Sequence, residues 1–147
     1  MKITDAFIAE HAVIYAQLDY LEHAIPAAAT LGEIKVMAGL LEAALKPHAE
    51  AEDELLFNGL EPGLDQMGKL EKVQHEHDAI CQGLVAVRQS RRKKDAQRQL
   101  MTVVRLTRKE FDLEDRVIFR LAEEILHEQT LHRLGKTWAK QRLVPSR

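Results

Sequence analysis

The 147-residue chain has a single cysteine, Cys81, a single tryptophan, Trp138, and only 5% aromatic residues. One thiol excludes an internal disulfide, and without a thiolate set neither a zinc ribbon nor an iron-sulfur cluster can be built. A chain with so little cysteine is easiest to place in a reducing compartment, and a cytoplasmic setting is expected. No run approaches the roughly 18 to 20 apolar residues of a membrane-spanning helix. Residues 1–10 include Lys2, Asp5 and Glu10 instead of an unbroken apolar core, so no secretory signal is read there. The formal charge of -2 gives no global drive toward nucleic acid. Glycine (7) and proline (4) are scarce, and the chain shows no phosphate loop, nucleophile elbow, thiol pair or strand signal.

What remains is a composition 46% hydrophobic and 30% charged, which suits a soluble helical domain able to bury about two-thirds of its unfolded surface. Apolar residues recur at steps of three and four, the period of a helix with one buried seam. Helix 1, about 3–25, presents Phe7, His11, Ile14, Leu18, Leu21 and Ile25, and Pro26 is expected to end it. Helix 2, about 31–58, presents Ile34, Met37, Leu41, Leu45, His48, Glu52 and Leu55, with a kink expected at Pro47. Helix 3, about 66–90, presents Leu70, Val73, His77, Ile80, Leu84 and Val87. Helix 4, about 95–126, presents Leu100, Val103, Thr107, Glu110, Glu114, Val117, Leu121 and Ile125. Short connections favour an all-α, up-down-up-down four-helix bundle over residues 1–127, followed by a basic C-terminal extension, 128–147, as a short tail or helix.

Histidine and glutamate interrupt the apolar seams in a repeated pattern. Glu10-His11 with Ile14, then His48, Glu52-Asp53 and Phe57, is echoed by Glu76-His77 with Ile80, then Glu110, Glu114-Asp115 and Phe119. Counted from residue 28 in the first loop, His11 lies 17 positions back, and His48 and Glu52 lie 20 and 24 forward; from residue 93, His77 lies 16 back, and Glu110 and Glu114 lie 17 and 21 forward. At about 1.5 Å per residue all six reach one level, some 25 to 35 Å from those loops. Three carboxylates in an apolar core cost several kcal/mol each unless paired or bound to cations. Imidazoles with carboxylates able to bridge suit two iron ions best, with zinc or manganese as possible substitutes. The bland alternative is a set of core histidines and glutamates hydrogen-bonded to one another.

These residues resemble the hemerythrin-like proteins, or HHE cation-binding domain, over about residues 5–126, and Leu134, Gly135, Lys136 and Trp138 are similar to that family's ending. The resemblance implies a four-helix bundle around two non-haem irons, with an oxo or hydroxo bridge and an open position for O2 or a related small molecule. By this analogy His11 and His48 bind one iron, His77 and Glu110 the other, and Glu52 and Glu114 bridge. Glu110 stands where the family pattern has histidine, and Val73 stands where respiratory hemerythrins carry a second helix-3 histidine. Both departures argue against reversible O2 carriage and toward a more acidic half-site, one that could also be only weakly occupied.

Other residues carry weaker signals. His75, about 200° round the helix from His77, is expected in solvent or a neighbouring groove, although a register placing it at the site instead of His77 stays open. His23, His127 and His132 read as surface histidines, Cys81 as a small buried hydrophobe and Tyr15 as packing. Arg91 to Lys94 read as a solvated turn. An exposed Trp138 would mark an interface. The expected function is to bind, sense or react with O2, peroxide or nitric oxide, or to sense or store iron, with a redox partner protein possible. The rivals are a di-iron oxidase or peroxidase and a structural adaptor clamped by one metal.

Overall fold

A computed structural model describes residues 1–60 and 69–143, and all regular structure among them is helical. Helix α1 spans Ile3–Ala27, α2 Leu31–Glu52, α3 Lys69–Gln89, α4 Lys93–Leu113, α5 Phe119–Ile125 and α6 Glu128–Leu143. The expected start of helix 3 near residue 66 and most of the loop before it lie outside the described residues. Within the bundle α1 packs on α2, α2 on α3, α3 on α4 and α4 on α1, closing a ring of four.

The α1–α2 turn is fixed reciprocally. Thr30 accepts the Glu33 backbone N–H (3.2 Å), and Glu33 accepts the Ala29 N–H (2.7 Å). Pro26 lies inside α1, which continues to Ala27. Its fixed φ is helical, and its missing N–H costs only a bond to a carbonyl one turn back, so a proline this near the C-terminus does not stop the helix where the sequence predicts. At Gly83 a Cβ would sit 2.6 Å from Val103 Cγ2, so the absence of a side chain there lets α3 and α4 approach closely.

Two π-helical turns depart from the regular pattern: Asp53–Phe57 directly after α2 and Glu114–Ile118 directly after α4. Each widened turn delays the helical phase, and its extra residue changes which side chains face inward. Leu55, Leu56 and Phe57 are therefore buried consecutively. On the fourth strut the expected seam of Val117, Leu121 and Ile125 is replaced by Ile118, Phe119 and Ala122, while Ile125 is exposed. A strict 3.6-residue period extrapolated past Glu114 cannot anticipate this shift. The regular parts of the seams are buried as expected, with Met37 and His77 only partly covered.

The buried apolar residues form two clusters. One is built around Ile14, Leu18, Leu41, Leu84 and Leu100, and the other around Ile3, Phe7, Leu56, Phe57, Ile118 and Phe119. The C-terminal segment is a regular 16-residue helix, α6, laid against α1. A Cβ on Gly135 would meet the Met1 carbonyl oxygen at 2.3 Å, which shows how closely α6 approaches the start of α1. Trp138 is half-buried rather than exposed. Among the described residues no helix is long and apolar enough to cross a membrane.

Candidate metal centre

The polar layer is supplied by one residue from α1 (His11), two from α2 (His48, Glu52), one from α3 (His77), one from α4 (Glu110) and the first residue of the second π turn (Glu114). Steps of four put His48 and Glu52, and Glu110 and Glu114, on common helix faces. His11 Nε2 and His48 Nε2 stand 3.0 Å apart. Two nitrogens each about 2.1 Å from one ion would subtend roughly a right angle at that spacing. His77 Nε2 lies 2.5 Å from Glu110 Oε1.

The two inner carboxylates each face both halves of the site. Glu52 Oε1 is 3.1 Å from His48 Nε2, while its Oε2 is 3.9 Å from His77 Nε2. Glu114 Oε2 is 3.1 Å from His11 Nε2, while its Oε1 is 3.7 Å from His77 Nε2. Two overlapping groups can each hold a cation: His11, His48, Glu52 and Glu114, and His77, Glu110 and Glu114. Both oxygens of Glu52 and of Glu114, and Oε1 of Glu110, are buried without an aligned hydrogen bond despite the nearby imidazoles. Five orphaned acceptors are costly in a self-bonded network and expected where cations complete the shell. The donor set, imidazole with hard carboxylate oxygen, fits iron, zinc or manganese.

Two of the motif acids adjacent to the six, Glu10 and Asp115, each support an imidazole. His48 Nδ1–H donates to Glu10 Oε2 (2.6 Å) and His11 Nδ1–H to Asp115 Oδ1 (2.7 Å). A carboxylate can only accept, so each bond fixes a proton on Nδ1 and turns Nε2 toward the centre. His77 has a looser counterpart, Asp53 Oδ1 at 3.9 Å. The sequence shows these acids as part of the repeat but does not show which helix each one serves. Glu76, the equivalent of Glu10 in the second half, is buried with Oε2 unpartnered among the described residues, and Lys109 approaches it at 3.8 Å from Oε1. Position 110 carries no imidazole that could donate to it.

All four phenylalanines wall the imidazoles. Phe111 stacks on His11 (3.8 Å, 9°), Phe119 tilts over the same ring (5.4 Å), Phe7 meets His48 edge-on (5.7 Å), and Phe57 lies 6.1 Å from His77. Burial opposes the charged imidazolium, but the hydrogen bond to Asp115 and the Glu114 and Glu52 carboxylates outweigh it and hold His11 at about 11. The same contest leaves His48 at about 9 beside Glu52 and Glu10, and His77 at about 11 beside Glu110 and Glu114. Burial, reinforced by neighbouring carboxylates, raises Glu110 and Glu114. Glu52 is lowered, because the charge and proximity of His48 and His11 overcome its burial.

His75 is exposed, so His77 is the helix-3 residue at the site. Cys81 is exposed, contrary to its expected burial, because its side of α3 fronts a cleft instead of a neighbouring helix. That cleft, about 410 Å³ between α2 and α3, is walled by Leu45, Ile80, Leu84 and Phe111 and reaches His77 and Glu110. Tyr15 packs edge-on against His11 and Phe111.

Fold and site together define a helical bundle whose imidazole and carboxylate cluster can hold cations. The hemerythrin HHE cation binding domain family model matches residues 2–122, and the chain belongs to that family. No curated protein and no solved structure matches the chain.

Proposed function

We propose that the chain is a non-haem di-iron protein that binds, senses or reacts with O2, peroxide or nitric oxide, or reports cellular iron. His11 and His48 serve one ion and His77 and Glu110 the other, with Glu52 and Glu114 shared. The observation that carries this is the opposed aim of the Glu52 and Glu114 oxygens, one toward each half, with none engaged in a hydrogen bond. Bound iron would supply redox chemistry and a coordination position for a small molecule. The protein's own part is to keep His11 and His48 protonated on Nδ1 through Asp115 and Glu10, and to shield those two rings from bulk water with Phe7, Phe111 and Phe119. Glu110 in place of an imidazole adds negative charge and favours the ferric state, which suits reaction or sensing over reversible carriage. A cytoplasmic setting and a redox partner protein that returns electrons belong with this proposal.

Metal analysis of protein loaded anaerobically with Fe(II) tests it: about two irons per chain are expected, with ferric-pair absorption after air exposure. A folded helical protein that retains no metal would overturn it. The cleft favours a second reading, an oxidase or peroxidase acting on a small organic substrate, because about 410 Å³ far exceeds what a diatomic ligand needs. Steady turnover with reductant and peroxide would distinguish this from stoichiometric binding.

A further inference from the structure

Helix α6 lies beyond the residues the family model matches, yet it grips the support of a candidate ligand from two sides. Glu10 Oε1 accepts Trp138 Nε1–H (2.8 Å) and Arg142 Nε–H (2.6 Å), while Glu10 Oε2 accepts His48 Nδ1–H (2.6 Å). Arg142 Nη2–H also donates to the Pro47 carbonyl (3.2 Å), one residue before His48, and its guanidinium lies 5.8 Å from the centre of the Trp138 ring. The bond to the Pro47 carbonyl ties α6 to the turn of α2 that carries His48. Gly135 gives α6 the close seat on α1 that brings Trp138 and Arg142 within reach of Glu10.

We infer that the C-terminal helix is a positioning element for the metal half-site containing His48. Trp138 and Arg142 fix the Glu10 carboxylate, Glu10 fixes the imidazole with its proton on Nδ1, and Nε2 is thereby aimed at the position shared with His11 and Glu52. Glu10, Trp138 and Arg142 are positioning residues, since none of them touches that position. The half-site of His77 and Glu110 has no contact with these three, so they act on it only through the shared Glu52 and Glu114. The inference rests on the metal-binding proposal above.

The test is stepwise Zn(II) affinity by chelator competition, with Co(II) absorption spectra as a readout of coordination, on the full chain and on Trp138→Phe, Arg142→Gln and Arg142→Lys proteins. Outer-sphere partners of metal-bound histidine are typically worth 10- to 100-fold in affinity. Trp138→Phe and Arg142→Gln should each weaken one of the two steps about 10-fold or more and alter its Co(II) bands. The other step should change markedly less, and Arg142→Lys should recover part of the loss. Equal binding and spectra in wild type and variants would overturn the positioning role alone, as would equal weakening of both steps, the mark of general destabilisation. Failure of the wild-type chain to bind either ion would overturn the metal reading and this inference with it.

Discussion

Metal loading should expel protons from this protein in a number set by its three buried imidazoles. Without metal, His11 and His77 stand at about 11, so at pH 8 both are charged; His48 Nε2 faces His11 Nε2 at 3.0 Å, where the two nitrogens share a single proton, so His48 adds none of its own there. A metal-bound imidazole keeps only its Nδ1 proton, so each charged ligand surrenders one proton on binding. Filling both positions with Zn(II) at pH 8 should therefore release close to two protons per chain. At pH 11 His11 and His77 are each about half neutral beforehand, and the count should fall by about one. Below neutrality Glu110 and Glu114, held above the usual carboxylate range by burial, add to the release. Calorimetric titrations in two buffers of different ionisation enthalpy give the count directly. Release of less than one proton at pH 8, or no drop between pH 8 and pH 11, would refute the charge state assigned to these imidazoles or their service as ligands.

Further outcomes follow from other parts of the structure. In the metal-free protein the raised His11 and His77 stabilise the fold below their ordinary value of about 6.5, and that contribution is lost as pH rises through about 11; the lowered Glu10 contributes above its ordinary value of about 4.5 and is lost as pH falls toward about 2. Thermal melts of metal-free protein should thus fall off on both sides, and a flat Tm from pH 8 to 11 would contradict the histidine contribution. Gly83→Ala forces a Cβ against Val103 and should cost about 1 to 3 kcal/mol, a Tm loss of roughly 3 to 10 °C, recovered in part when Val103→Ala removes the obstructing methyl. Glu110→His removes one negative charge and gives the unpartnered Glu76 an imidazole donor; the reduction potential of the iron-loaded protein should rise by about 60 mV or more, a tenfold change for one electron. An unchanged potential would count against Glu110 as the source of the acidic character.

The seams of α1 through α4 were legible because an apolar step of three and four admits one buried face, and the six polar interruptions shared a depth because equal counts from a loop give equal rise along antiparallel helices. His77 in preference to His75 followed from that same face. The sequence could not show the π turns at Asp53 and Glu114, since a widened turn is chosen by what the side chains around it must satisfy, and the seam beyond Glu114 moved to Ile118, Phe119 and Ala122 as a result. Nor could it show that Glu10 serves His48 on another helix, that Asp115 reaches back to His11 across 104 residues, or that α6 returns Trp138 and Arg142 to Glu10. Local periodicity decides which way a residue faces along its own helix. Only the packing of one helix against the next decides which carboxylate meets which imidazole, and here that choice sets the proton on each ring and the direction in which its free nitrogen points.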